Sequence, residues 1–195
     1  VNITSPTEAM RHEIGMVHQH FMLIENFTVT ENIILGDEVC GAAGILDMKR
    51  ARQKVMELVE RSGFDVDPDA KIEDISVGMQ QRVEILKALF RGAEILILDE
   101  PTAVLTPQET DKLFAVLRNM RDDGKAIIII THKLHEVEDI SDRVAVLRKG
   151  AYVGEMITKD ATTEEMTTMM VGRQVSLNID RPDPEMKYRM ERIQI

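Results

Sequence analysis

The sequence has few of the features that disulfide-linked, membrane-spanning or nucleic-acid-coating proteins require. It contains one cysteine, Cys40, which excludes a disulfide within the chain and is interpreted as a small thiol without a special role. No run of about 18 apolar residues occurs, so no membrane-spanning helix is predicted. Acidic residues outnumber basic ones by 34 to 24, and the net charge of -10 argues against a protein that coats nucleic acid or an anionic bilayer.

What is present fits a globular protein. Of the 195 residues, 44% are hydrophobic and 30% are charged, and this length allows one domain with a core, or one domain and a tail. The first residues, Val1 to Pro6, are typical of a strand or turn, and the last, Arg192 to Ile195, of the beginning of a strand. We therefore expect the sequence to be a fragment of a longer chain.

Four consecutive large apolar residues, Ile95–Leu98, run directly into Asp99, Glu100 and Pro101. A short, fully apolar run predicts a strand that is buried on both faces of a parallel sheet, and proline ends it because it cannot continue the ladder. The two acids then lie at the carboxyl edge of the strand, where open α/β sheets bind their ligands. Because buried charges are costly, the pair indicates a cation, a hydrogen-bond network or a phosphate. Two solvated acids at an ordinary strand end are the alternative.

Alternating strand and helix patterns predict an α/β fold. Strands are also predicted at Ile14–Val17, Ala126–Ile130 and Arg143–Leu147, with Tyr152–Met156 completing a hairpin, and helices at Met48–Ser62, Pro107–Asp122 and Leu134–Ile140. The order strand, helix, strand, helix, strand indicates a parallel sheet with right-handed crossovers. In this sheet, Ala126–Ile130 is also expected to be buried on both faces. Residues 21–91 hold helical patterns and are expected to form a helical insertion.

Polar residues follow three of the predicted strands: Gln19, the pair Asp99 and Glu100, and His132. Because parallel strands collect their carboxyl edges on one side, we expect these side chains to converge. A phosphate reaction needs an acid that holds a metal, a group that orients or deprotonates water, and donors for the developing charge. Asp99 is suited to holding the metal, Glu100 to deprotonating the water, and His132 to donating a hydrogen bond to a phosphate oxygen. Gln19 reaches either the water or the metal.

Two further patterns have simple interpretations. Ser76 and Gly78 begin a predicted helix over residues 81–90, so the N–H groups there form either an anion site or, as this pattern alone favours, an ordinary helix cap. His12, His18 and His20 have no nearby cysteine or second pair at metal-site spacing. We interpret them as part of a polar loop rather than as zinc ligands.

Four motifs, in order across residues 15–150, resemble those of the nucleotide-binding domain of an ATP-binding cassette (ABC) transporter. Ile95 to Glu100 resembles the Walker B strand with its catalytic glutamate, and Ile75 to Gln81 the signature motif. Gln19 matches the Q-loop glutamine, His132 the switch histidine, and residues 102–106 the D-loop. The amino-acid sequences of residues 15–21 and 76–84 resemble those in the ATPases of importers for simple sugars and, more closely, for nucleosides. In these importers, one polypeptide carries two such domains.

The resemblance implies an α/β fold with a parallel-sheet P-loop NTPase (RecA-like) core, truncated at the N-terminus, and an all-helical subdomain. Residues 1–20 and 92–158 would form part of the core, and residues 21–91 the helical subdomain. Residues 159–195 would hold a C-terminal helix, a linker and the start of a second nucleotide-binding domain. The implied function is ATP hydrolysis coupled to solute uptake. A non-transport ATPase of the same family, such as a DNA-repair or translation factor, and an interaction module with degraded chemistry are the alternatives.

The same resemblance implies a composite site for ATP and Mg²⁺. Asp99 would hold Mg²⁺ through water, Glu100 would polarise the attacking water, and His132 would contact the γ-phosphate. Gln19 would reach the metal and link the nucleotide to the membrane partner. ATP bound to an opposing nucleotide-binding domain would be contacted in trans by three residues of the signature motif, Ser76, Gly78 and Gln80.

The implied partners are the opposing nucleotide-binding domain and transmembrane permease subunits, which would touch residues 21–91. A periplasmic or lipoprotein solute-binding protein would act indirectly, and no nucleic acid is expected. The protein would lie peripherally on the cytoplasmic face of the cell membrane.

Three departures from the family pattern limit what carries over. The glycine-rich phosphate loop with its lysine does not occur in this sequence; in the family it lies upstream of the position of Val1, so we predict that the chain alone does not hydrolyse ATP. Val77 and Met79 stand where the signature motif usually has glycine and glutamine, and Thr106 stands where the D-loop usually has aspartate. The family's contacts through these three positions do not carry over.

Overall fold

A computed structural model describes residues 2–41 and 44–172, which divide into two compact units between Glu136 and Val137. The first unit contains, in chain order, α1 (Pro6–Arg11), β1 (Ile14–Val17), α2 (Val29–Ile34), α3 (Met48–Ser62), α4 (Val77–Phe90), β2 (Ile95–Asp99), α5 (Pro107–Asp122) and β3 (Ala126–Ile130), and α6 (Leu134–Ile140) begins in it. The second contains β4 (Arg143–Arg148), β5 (Ala151–Ile157) and α7 (Thr163–Val171). Short 3-10 helices cover Ile72–Asp74 and Thr158–Asp160.

A parallel three-stranded sheet forms the centre of the first unit. Its order is β1-β2-β3, with Met16 beside Ile97 and Ile97 beside Ile128. Each new strand is added in the same direction, so right-handed crossovers place α4 and α5 on one face. The predicted α/β class with a parallel sheet is confirmed.

Only one face of this sheet is buried in the described residues, which corrects the prediction that Ile95–Leu98 and Ala126–Ile130 are buried on both faces. Val17, Leu96 and Leu98 share the covered face and are at most 1% exposed. At Gly15, on the same face, a Cβ would lie 2.8 Å from the Cβ of Ala93, so only glycine lets the end of α4 and the segment that follows it approach this closely. On the other face, Met16, Ile128 and Ile130 are 43–50% exposed. We call this the open face.

The second unit also departs from prediction. Arg143–Leu147 was expected to continue the order of the parallel sheet, but within the described residues β4 pairs with β5 in a separate antiparallel sheet. The pairing of β4 with β5 follows from the two-residue turn at Lys149 and Gly150, both with positive φ (51° and 76°). Such a turn matches the twist of a hairpin and leaves no length for a crossover. The predicted hairpin is confirmed.

Local signals position the helices between β1 and β2. Asp47 caps α3 and Gly63 ends it in the left-handed conformation. The fully buried Asn32 holds the preceding loop, because its side chain accepts from the Ile24 N–H at 2.7 Å and donates to two backbone carbonyls. The predicted linker beyond residue 172 and the strand at the end of the sequence lie outside the described residues.

Candidate active site

Glu100 is held in an unusual backbone conformation directly after β2. Its φ is 47°, in the left-handed region that costs a non-glycine residue about 1–2 kcal/mol. Its N–H donates to the Ile130 carbonyl at 2.9 Å, so the sheet ladder itself fixes this residue. The strain redirects the side chain at the carboxyl edge, and strained residues of this kind cluster at functional sites.

The Glu100 carboxylate meets His132, which lies two residues beyond β3. Its Oε1 lies 2.7 Å from His132 Nδ1. The histidine side chain is 73% exposed and the glutamate side chain 16%. Glu100 Oε2 is buried and has no hydrogen-bond partner among the described residues. A buried carboxylate oxygen without a partner is costly, so this atom is available to a ligand or a water.

Asp99 and Gln19 lie at the same sheet edge. Asp99 is the last residue of β2, beside Ile130. Gln19 is exposed and follows β1 by two residues, while Val17 pairs with Leu98. Neither side chain makes a hydrogen bond to Glu100 or His132 in the described part of the chain. The structure therefore joins Glu100 to His132 directly and brings Asp99 and Gln19 to the same edge through the register alone.

The predicted signature residues surround the beginning of α4, which starts four residues earlier than predicted. Ser76 is its N-cap and accepts from the Met79 N–H at 3.3 Å. Gln80 donates through Nε2 to the Ile72 carbonyl at 3.2 Å. Gly78 is buried, and a Cβ there would overlap the Glu109 carboxylate, lying 2.8 Å from its Cδ. The backbone of α4 therefore lies against the beginning of α5.

Thr106 explains one departure from the family pattern. It is the N-cap of α5 in a capping box: its Oγ1 accepts from the Glu109 N–H, and its own N–H donates to the Glu109 carboxylate at 2.9 Å. This backbone N–H, followed by the Thr106 hydroxyl, holds the pKa of Glu109 below its usual range. Threonine and aspartate both cap helices, so the helix start is retained with threonine.

Sequence reasoning missed a buried cluster beside the Glu100–His132 pair. Glu136, in α6, is 3% exposed and accepts a hydrogen bond from Thr102 Oγ1 at 2.6 Å. Burial raises the pKa of Glu136, but hydrogen bonds from Thr102 and Lys133 outweigh it and leave the pKa lowered. In the sequence, Glu136 looks like Glu138, the next acid of the same helix, and no local pattern separates the two.

The side chains at this edge fit a Mg²⁺ ion better than a metal that needs several protein ligands. No group of three or more histidine, cysteine, aspartate or glutamate side chains that could hold a metal ion occurs within residues 2–41 and 44–172. Mg²⁺, however, is usually bound through one or two carboxylates together with waters and substrate phosphates. Asp99 with the unpartnered Glu100 oxygen fits that requirement.

Comparison with known proteins shows the family of the chain. Residues 2–103 match the family described as ABC transporter, and the chain belongs to that family. It is 56% identical over 175 residues to a nucleoside import ATP-binding protein of Lactococcus lactis and 52% identical over 181 residues to a guanosine import ATP-binding protein of Bacillus subtilis. These matches cover 90% and 93% of this chain but 34% and 35% of the relatives. The chain thus spans about a third of their length.

Solved structures show the same fold. An ABC cassette from Clostridium perfringens is 27% identical, with a TM-score of 0.66 over 84% of this chain and 65% of that one. A cassette solved in its ADP conformation, 22% identical, has a TM-score of 0.68 over 85% of this chain and 67% of that one.

In the described residues, no helix is long and apolar enough to cross a membrane.

Proposed function

We propose that the chain is part of the ATP-hydrolysing subunit of an ABC importer for nucleosides or simple sugars. The hydrogen-bonded pair of Glu100 and His132 at the carboxyl edge is the observation that carries the proposal of hydrolysis. The assignment to import rests on the 56% and 52% identity to the two import proteins. These similarities favour transport over the DNA-repair or translation alternative.

The residues at the edge divide the chemistry. Glu100 accepts a proton from the attacking water, because its carboxylate is fixed by the ladder and by His132 and retains one oxygen without a partner. His132, mostly exposed, donates to the γ-phosphate. Asp99 and Gln19 would hold Mg²⁺. When bound, this ion neutralises charge on the phosphates.

The nucleotide also needs groups from outside this chain. Ser76, Gly78 and Gln80 contact ATP held by an opposing nucleotide-binding domain. The glycine-rich phosphate loop is supplied by the longer protein, upstream of the position of Val1. We call that longer protein the whole protein. The open face supports this arrangement, because half-exposed isoleucines on one face of a parallel sheet indicate that another element covers them.

The implied partners follow from the same proposal. Transmembrane permease subunits contact residues 21–91 and hold the protein on the cytoplasmic face of the membrane. A solute-binding protein delivers the nucleoside or sugar to the permease. Nucleotide turnover then depends on the membrane partner as well as on this site.

The test measures ATP hydrolysis and nucleoside uptake by the whole protein, reconstituted with its permease in liposomes. We expect Glu100→Gln to lower kcat by about 10²–10⁴-fold, the usual contribution of a general base, while ATP still binds. Glu94→Gln is the matched control, since Glu94 precedes β2 and is exposed in an ion pair with Lys125; it should change kcat less than about twofold.

Two results would contradict the proposal. A Glu100→Gln protein that hydrolyses ATP at the normal rate would remove the assigned base. A wild-type protein that hydrolyses ATP but copurifies with ribosomes or DNA, and not with a permease, would keep the ATPase and reject the importer.

A further inference from the structure

The buried cluster that lies behind the Glu100–His132 pair joins two segments of the first unit. One segment follows Glu100 and includes Thr102, which is 1% exposed. The other is Thr131–Lys133, with His132 at its centre. Glu136 contacts both: Thr102 Oγ1 donates to its Oε1 at 2.6 Å, and Thr131 Oγ1 donates to its Oε2 at 3.3 Å.

Lys133 links the other members of the cluster through its ammonium group and its backbone. Its Nζ lies 2.9 Å from Glu136 Oε1 and donates to both the carbonyl and the Oγ1 of Thr102 at 3.1 Å. Its backbone N–H donates to Thr131 Oγ1 at 3.1 Å. The Thr102 hydroxyl therefore accepts a hydrogen bond from Lys133 and donates one to Glu136. The single proton of this hydroxyl is thus used in a hydrogen bond. Buried networks of this kind, with every member satisfied, are rigid.

We propose that Glu136 is a positioning residue for ATP hydrolysis, and that it sets the geometry between Glu100 and His132 without touching the nucleotide. Both residues that flank His132 bind the Glu136 carboxylate. Thr102, two residues beyond Glu100, binds it as well. One carboxylate thus fixes the two loops that carry the reacting pair. The catalytic part of this inference rests on the proposed function, whereas the link between the two segments does not.

The experiment compares wild type with Glu136→Gln in the whole protein, by amide hydrogen exchange and by ATPase kinetics. The substitution keeps the shape of the side chain but removes the charge that Lys133 binds. We expect exchange at residues 100–105 and 131–133 to rise at least about tenfold, as the loss of a charge-assisted hydrogen bond implies, while exchange in α3 stays unchanged. We expect kcat to fall about tenfold or more, with KM for ATP within about twofold, because binding groups are untouched.

Two controls make the result specific. Glu138→Gln alters the exposed acid of the same helix, which accepts from Thr163, and should change neither readout. Thr102→Val removes the partner hydroxyl. Combined with Glu136→Gln it should lower kcat less than the sum of the two single effects, because both changes weaken the same hydrogen-bonded network.

Several outcomes would overturn the proposal. Unchanged exchange at the two segments would mean that Glu136 does not hold them, and equal gains in α3 would mean a general loss of stability. Altered exchange with normal kcat would leave Glu136 a structural residue. If the wild type fails to hydrolyse ATP, the proposed function fails and the positioning role with it, while the exchange data still decide whether Glu136 holds the two segments.

Discussion

At the scale of single residues, the site is built from groups whose surroundings are unusual. Glu100 has a left-handed backbone and a buried oxygen without a partner among the described residues. Glu136 is a buried acid that three side chains contact. The first arrangement leaves a carboxylate free for chemistry, and the second satisfies one completely. Environment, rather than residue type, therefore separates the glutamate that we propose as the base from the one that we propose as a positioning residue.

The lowered pKa of Glu136 predicts a pH dependence of stability. A carboxyl group whose pKa is lowered by folding stabilises the protein above its unfolded pKa, near 4.5, and this stabilisation disappears as the pH falls through the folded pKa. We expect Glu136→Gln to lower the unfolding free energy of the chain by about 1–3 kcal/mol at neutral pH. The difference from wild type should shrink once the pH falls below about 4.5.

Urea denaturation at a series of pH values measures this. Glu138→Gln, in the same helix, shows the effect of removing an acid from an exposed position. A difference between wild type and Glu136→Gln that grows as the pH falls would reverse the expected sign and reject the assignment.

At the scale of elements, helix caps carry the contacts that connect the motifs. The capping box of Thr106 and Glu109 begins α5, and the same Glu109 lies against Gly78 at the beginning of α4. The D-loop position and the signature motif are thus adjacent through one carboxylate. This contact is invisible in the sequence, where 31 positions separate Gly78 from Glu109 (109 minus 78).

The capping role of Thr106 gives a matched pair of substitutions. Thr106→Val keeps the size of the side chain and removes the acceptor for the Glu109 N–H, so we expect a loss of about 1 kcal/mol in unfolding free energy. Thr106→Asp, the residue usual in the family, keeps a capping oxygen and should stay within about 0.5 kcal/mol of wild type. Urea denaturation of both variants measures this, and an equal loss in the two would exclude the cap as the cause.

At the scale of the whole molecule, the open face separates this chain from a complete domain. One face of the sheet is packed against helices, while Met16, Ile128 and Ile130 remain 43–50% exposed on the other. The solved cassettes that match the chain are longer, since it covers 65% and 67% of two of them. We expect part of that additional length to cover the open face.

This expectation predicts that one substitution has different effects in two contexts. Ile128→Thr should change the unfolding free energy of the 195-residue chain by less than about 0.5 kcal/mol, as at an exposed site. In the whole protein it should cost about 1.5–3 kcal/mol, because the side chain is then buried. Leu98→Ala, on the packed face, is the control and should cost about 2–5 kcal/mol in both.

Urea denaturation of the two proteins makes the comparison. Equal small losses for Ile128→Thr in the two contexts would show that nothing covers the open face.

The sequence by itself determined the elements and the residues at the sheet edge. Capping residues and apolar periodicity placed α3 and α5 correctly, because these signals act within a few residues of the chain. A short apolar run followed by acids and proline located the end of β2 for the same reason. Strand order with the right-handed rule then brought Gln19, Asp99, Glu100 and His132 to one edge.

Only the tertiary structure decided which faces are covered and which glutamate is buried. Ala126–Ile130 has the pattern of a doubly buried strand, but burial depends on what packs against a strand, and that element is distant in the sequence or outside this chain. Arg143–Arg148 has a strand pattern in either sheet, and its partner was set by a two-residue turn. Glu136 and Glu138 are alike in sequence, and only packing against Thr102 and Lys133 buries the first.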